Sequence, residues 1–95
     1  MKIILVKLVS GEEVIGTLIS SNDAAIVLSK PRVLVTRNFD NGQMGVAMIP
    51  FMLGVPDGEH IIYLDKIMGE PNGKALPKQL EDGYIQQTTS IQLSK

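Results

Sequence analysis

Along the first third of the chain, Ile3 to Val35, runs rich in apolar residues are separated by short polar stretches, the order of strand, turn, strand, turn and strand. Lys2 to Val9 is rich in β-branched and aliphatic residues and predicts a first strand. Ser10-Gly11-Glu12 supplies turn chemistry. Glu13 to Ser20 predicts a second strand, with Val14, Gly16 and Leu18 on one face and Glu13, Ile15, Thr17 and Ile19 on the other. A glycine inside a strand suits a bend or a close approach, so Gly16 marks a place where the sheet curves. After the polar turn Ser21-Asn22-Asp23, a third strand runs from Ala25 to Arg37. Pro31 lies inside it and cannot donate to a ladder, which predicts an edge, a bulge or a bend there.

The second half continues the pattern. Asn38 to Gln43 reads as a hairpin loop around Asn41-Gly42. Met44 to Leu53 is a long apolar run broken by Pro50, and Gly54 to Glu59 is another turn. His60 to Met68 predicts a further strand, with a bend at Asp65-Lys66. Gly69 to Lys78 has the Gly, Pro and Asn content of a linker. Beyond it, the step from Leu80 to Tyr84 suits a helix turn, so a short C-terminal helix is expected, with an extended tail as the alternative. Five short strands with regular turn signals predict an all-β, closed or nearly closed small barrel. The expected division is a barrel domain over 1–68 and a linker with helix or tail over 69–95.

Size and composition then point to self-association. A 95-residue chain makes one domain and buries a modest fraction of its surface. With no cysteine and one histidine, His60, it has neither disulfides nor a thiolate or His-rich metal site to stabilise it. Oligomerisation is the remaining route. Met44 to Leu53 is too continuously apolar for a strand with one wet face. Met44, Met48 and Met52 recur on one face of it, as adaptable interfaces use methionine. The expected subunit interface is Met44, Met48, Ile49, Phe51, Met52, Ile62 and Tyr63; the alternative is a strand buried within one barrel. The net charge of −1 argues against a dedicated duplex-DNA binder. Met1-Lys2 leads straight into strand residues and nothing approaches the ~20 apolar residues of a membrane helix, so a soluble, cytoplasmic protein is expected.

The phrase VKLVSGEEVIGTL, followed by Ile26-Val27-Leu28, resembles the first motif of the Sm-like (Lsm-type) family. The later IIYLDKIM resembles a degenerate second motif. Within the family the chain is most similar to small Sm-like proteins of marine phages (cyanophage type), which also parallel LEDGYIQQTTSI. The resemblance implies a barrel of five strongly bent antiparallel strands. It further implies a homo-oligomeric ring of roughly five to seven copies, single-stranded RNA as a partner and, for a phage protein, the host cytoplasm. The departures concern RNA. The family's base-reading Asn falls on Ala25 and its Asp on Ser21. Its basic pore pair falls on Asp65-Lys66, or in another register on Asp57-Gly58-Glu59. The family also begins with a helix where this chain begins with a strand. The usual uridine pocket is therefore not expected.

The candidate RNA contacts are Lys66 at the pore and a basic stripe of Lys30, Arg32 and Arg37. The plainer reading of these cations is solvated or gatekeeping charge on strands. Tyr63 and Phe51 suit packing more than base stacking. His60 follows Asp57-Gly58-Glu59 and reads as an exposed turn histidine. Nothing resembles a nucleophile elbow or a phosphate-binding loop, and Glu12 and Glu13 are adjacent, so their side chains diverge in a strand. No enzyme activity, cofactor, metal or small-molecule substrate is implied. The expectation is a ring-forming scaffold binding single-stranded RNA weakly, with a protein-interaction or assembly module as the alternative.

Overall fold

The computed structural model describes residues 2–38, 40–71 and 76–93, with side chains through residue 89. The strands are β1 (Ile3–Leu8), β2 (Glu13–Ser21), β3 (Ala25–Asn38), β4 (Met44–Pro50), β5 (Glu59–Tyr63) and β6 (Ile67–Gly69). A 3-10 turn, Leu64–Lys66, separates β5 from β6, and α1 spans Lys78–Leu93. No helix among the described residues is long and apolar enough to cross a membrane.

All pairings are antiparallel, in the order β4-β3-β2-β1-β6, with β5 also on β3. β3 is long enough to hold two partners on one edge: β5 along Ala25–Ser29 and β4 along Arg32–Asn38. Of the expected closed or nearly closed barrel the structure shows the antiparallel sheet; the ladder does not close among the described residues. The strand expected over His60–Met68 is two strands, because the 3-10 turn redirects the chain from β3 to β1. The apolar run beyond Met44 is strand only to Pro50; Phe51 and Met52 begin a loop, 51–58. The tail is a helix, as the Leu80–Tyr84 step suggested.

Local chemistry explains the turns. Asn22 Oδ1 accepts from Ala24 N–H at 2.7 Å and Ala25 N–H at 2.9 Å, fixing the β2–β3 connection. In the β3–β4 hairpin Gly42 takes φ 86°, where glycine is favoured, and Asn41 Oδ1 accepts from Gln43 N–H.

The bend comes at Gly16. Ile15 pairs with Arg32 and Thr17 with Ser29, so Lys30 and Pro31 together face Gly16. Two residues against one is a bulge, which bends the bulged strand and increases its twist. Proline belongs there because the ladder asks no donor of it. A Cβ on Gly16 would lie 3.1 Å from Leu28 Cβ and 3.4 Å from Pro31 Cα, so the inner face of the bend has no room for a side chain.

Inside the curve Val6, Leu8, Val14, Ile26, Leu28, Val33 and Ile62 form the core, with Ile4, Leu18, Val35, Phe51 and Ile67 packed around it. Ile15 points to the other face yet is fully buried. Its cross-strand partners there are Leu5 and Arg32. α1 lies against that face: Tyr84 bonds Thr17, and Gln87 bonds Arg32 and the Met48 carbonyl. Its inward stripe, Leu80, Tyr84 and Thr88, recurs every fourth residue, as one helix face requires.

Gly16→Val should lower stability by about 1–3 kcal/mol, because added carbons overpack the bend against Leu28 and Pro31. Urea unfolding checks this; an unchanged midpoint would mean that the bend has room.

Candidate functional site

The described residues contain no cluster of three or more His, Asp or Glu side chains able to hold a metal. Every buried side-chain nitrogen or oxygen among them has a partner. The places left to act are therefore surfaces, and above all strand edges.

β4 and β5 occupy the same edge of β3, and their outer edges differ. Phe51 N–H donates to Pro31 O at 3.0 Å. Counting by twos along an antiparallel ladder, Ile49, Ala47 and Gly45 bond inward, while the main-chain groups of Pro50, Met48 and Val46 face out. Pro50 has no N–H to offer, and Met48 O accepts from Gln87 Nε2 at 3.0 Å. The β4 edge is thus partly blocked by its own proline and by α1.

Among the described residues nothing covers the outer edge of β5 in this way. Leu64 N–H donates to Ala24 O at 2.9 Å and Lys30 N–H to Gly58 O at 3.0 Å. By the same alternation His60 and Ile62 bond inward to β3, and Glu59, Ile61 and Tyr63 turn both N–H and C=O outward. Their side chains are exposed as well, Ile61 and Tyr63 each at 58%. Apolar side chains beside unpaired peptide groups make an edge a template for another strand. β6, bonded only to β1, offers a second short edge with Met68 exposed.

The expected interface residues divide. Met44, Ile49, Met52 and Tyr63 are exposed. Ile62 is a core residue at 4% exposure, because its position in β5 points inward. Phe51 packs on the core and meets the His60 ring edge-on at 6.3 Å. Met48 is half-buried on the face that α1 covers. Of these three, Ile62 is corrected from interface to core, while Phe51 and Met48 are half-buried.

The basic stripe is not assembled. Arg32 is 5% exposed. Its Nε donates to Gln87 Oε1 at 2.6 Å, Nη1 to Pro56 O at 2.8 Å, and Nη2 to Asp57 Oδ1 at 2.8 Å. A guanidinium with its fork so occupied is a structural tie between β3, loop 51–58 and α1. Lys30 Nζ donates to Thr88 O at 3.1 Å. Arg37 is exposed at the far end of β3, beside the β3–β4 hairpin. Lys66 is exposed in the 3-10 turn next to Asp65. That turn does meet the β2–β3 turn, through Leu64 N–H and Ala24 O, and Asp23, Ala24, Tyr63, Leu64 and Asp65 line a shallow hollow there. Its carboxylates are poor company for phosphate.

His60 is buried rather than exposed, because the strand starts one residue earlier and turns its ring to the core. Its Nε2 lies 2.7 Å from Val55 O and steadies loop 51–58. Sequence reasoning missed Tyr84 and Gln87 as anchors of α1. The only local signal was a lone tyrosine on the helix face shared with Leu80.

No protein-family model matches the chain, and no curated protein matches it significantly.

Arg32→Lys should cost about 1–3 kcal/mol, since an ammonium cannot span Gln87, Pro56 and Asp57 together. Asp57→Asn should cost less than about 1 kcal/mol, because the carboxylate is half exposed and its ion pair is screened. Chemical denaturation of both variants tests the order; a larger loss at Asp57 would make the ion pair the main tie.

Proposed function

We propose that this chain is a self-assembling module of Sm-like barrel design, whose copies join edge to edge through β5. The observation that carries this reading is the free β5 edge, with Glu59, Ile61 and Tyr63 presenting unpaired main-chain groups between exposed apolar side chains. β6 supplies the complementary edge on the next copy. Two different edges joined head to tail repeat one rotation, and such a contact closes into a ring when the rotation divides a full turn. The bulge that bends β3 agrees with the strongly bent strands that the Sm-like resemblance implies. Exposed Ile61 and Tyr63 on β5 and Met68 on β6 would lose water contact on assembly.

Native mass measurement tests the reading. The parent should run as a multiple of the chain. Ile61→Lys should run as one folded chain with a lowered melting temperature, because Ile61 is exposed in the single copy, a lysine blocks the edge, and the stability added by association is lost. A parent mass of one chain, or an Ile61→Lys variant that still assembles, would remove β5 as the interface.

RNA binding is the second reading. It is favoured by the contact between the two turns that the family uses for RNA, and Lys66 beside them is its exposed cation. An assembly module without RNA binding should leave oligo(U) and oligo(A) anisotropy flat at low salt. Salt-sensitive binding abolished by Lys66→Glu would instead establish an RNA surface at this turn.

A further inference from the structure

Lys30 is the only non-glycine residue with a positive φ among the described residues, at 53°. Cβ crowding makes this region costly for an L-residue, so it persists only where surroundings hold it. Three contacts do so. Lys30 N–H donates to Gly58 O at 3.0 Å, where loop 51–58 enters β5. Its carbonyl accepts from Tyr84 Oη at 3.1 Å. Its Nζ donates to Thr88 O at 3.1 Å. The first contact comes from the loop and the other two from α1. Lys30 also stands where β3 changes partner from β5 to β4. Arg32 repeats the connection, holding Gln87 of α1 with one nitrogen and Pro56 and Asp57 of the loop with two others.

We infer that α1 regulates the free edge of β5 through the strained backbone of Lys30. Docked, α1 holds the left-handed turn, and the turn keeps its N–H on Gly58 and β5 on β3. Undocked, Lys30 relaxes toward negative φ, the Gly58 bond is lost, and β5 loosens along with the edge it presents. The hydrogen bonds between α1 and the sheet run through hydroxyl, amide and carbonyl groups that water can satisfy once α1 leaves, so undocking costs mainly the apolar burial of Ile15 and the Tyr84 ring. The consequence for assembly rests on the reading of β5 as the joining edge; the coupling between α1 and β5 does not.

Residue-resolved hydrogen exchange on the whole chain tests the inference, with Tyr84→Phe as the first variant. The amides of Lys30, His60, Ile62 and Leu64 should exchange faster by about tenfold or more, while those of Ile4, Val6 and Val14 in the β1–β2 hairpin keep their rates. Adding Lys30→Gly should restore slow exchange in β5, because glycine adopts positive φ without being held. Native mass should follow the same order, falling in Tyr84→Phe and recovering in the double variant. Equal acceleration in β1–β2 would mean a general loss of stability and would overturn the inference. So would an unaffected β5 in Tyr84→Phe, or a double variant that stays fast. A parent of one-chain mass would end the assembly reading alone, since the exchange pattern still decides whether α1 and β5 are coupled.

Discussion

The hydroxyl of Tyr84 sits where the β2–β3 ladder breaks, and the rest of the fold depends on that junction. Thr17 N–H donates to it at 3.1 Å, and it lies within bonding distance of Ser29 O at 2.9 Å and Lys30 O at 3.1 Å. Thr17 Oγ1 lies 3.1 Å away. A phenol has one proton and two lone pairs. It can therefore accept from Thr17 and share its proton between the two carbonyls. Curling a small sheet around a core needs a bulge, and a bulge leaves peptide groups short of partners. Burying them unsatisfied would be destabilising. Tyr84 bridges the gap from outside the sheet, so the bend, the position of α1 and the switch of β3 from one partner to another share one set of hydrogen bonds.

The same junction separates two kinds of edge. Below the bulge β3 carries β5, and above it β4. β4 bears a proline at an outward position and a glutamine from α1 on the next outward carbonyl. Both are ways in which proteins blunt a strand that would otherwise recruit another. β5 has exposed apolar side chains and no such cover among the described residues, although it lies only a loop away. A chain that blocks one of two neighbouring edges and leaves the other bare has limited where a second strand can add.

What was legible in the sequence follows the range of the interactions. The turns at Asn22 and at Asn41-Gly42 are local, and their chemistry is readable from a few residues. Gly16 and Pro31 announced a bend, although not that they face each other across one bulge. The periodicity of β2 placed Ile15 opposite the core face but gave no reason for its burial, because the covering helix lies far along the chain. Arg32 read as a surface cation for the same cause: Gln87 and Asp57 reach it only after folding. Ile62 and Phe51 read as interface because an apolar run does not reveal which members turn inward. The edges themselves were the least visible, since an unpaired main-chain group leaves no mark on side-chain composition.

Charge at the paired turns bears on what they could bind. The two turns that meet through Leu64 and Ala24 carry Asp23 and Asp65 against the single ammonium of Lys66. In any cyclic assembly that directed these turns to a common axis, each copy would add more negative than positive charge there. Phosphate binding gains from releasing counterions held by cations, and a rim with excess carboxylate has little to release. The cations that could have reversed the balance are used elsewhere: Arg32 ties the loop to α1, and Lys30 reaches a helix carbonyl. Those residues serve the stability of the bend. Fold and binding surface are separable properties, and here two of the chain's cations, Lys30 and Arg32, are engaged in holding the fold.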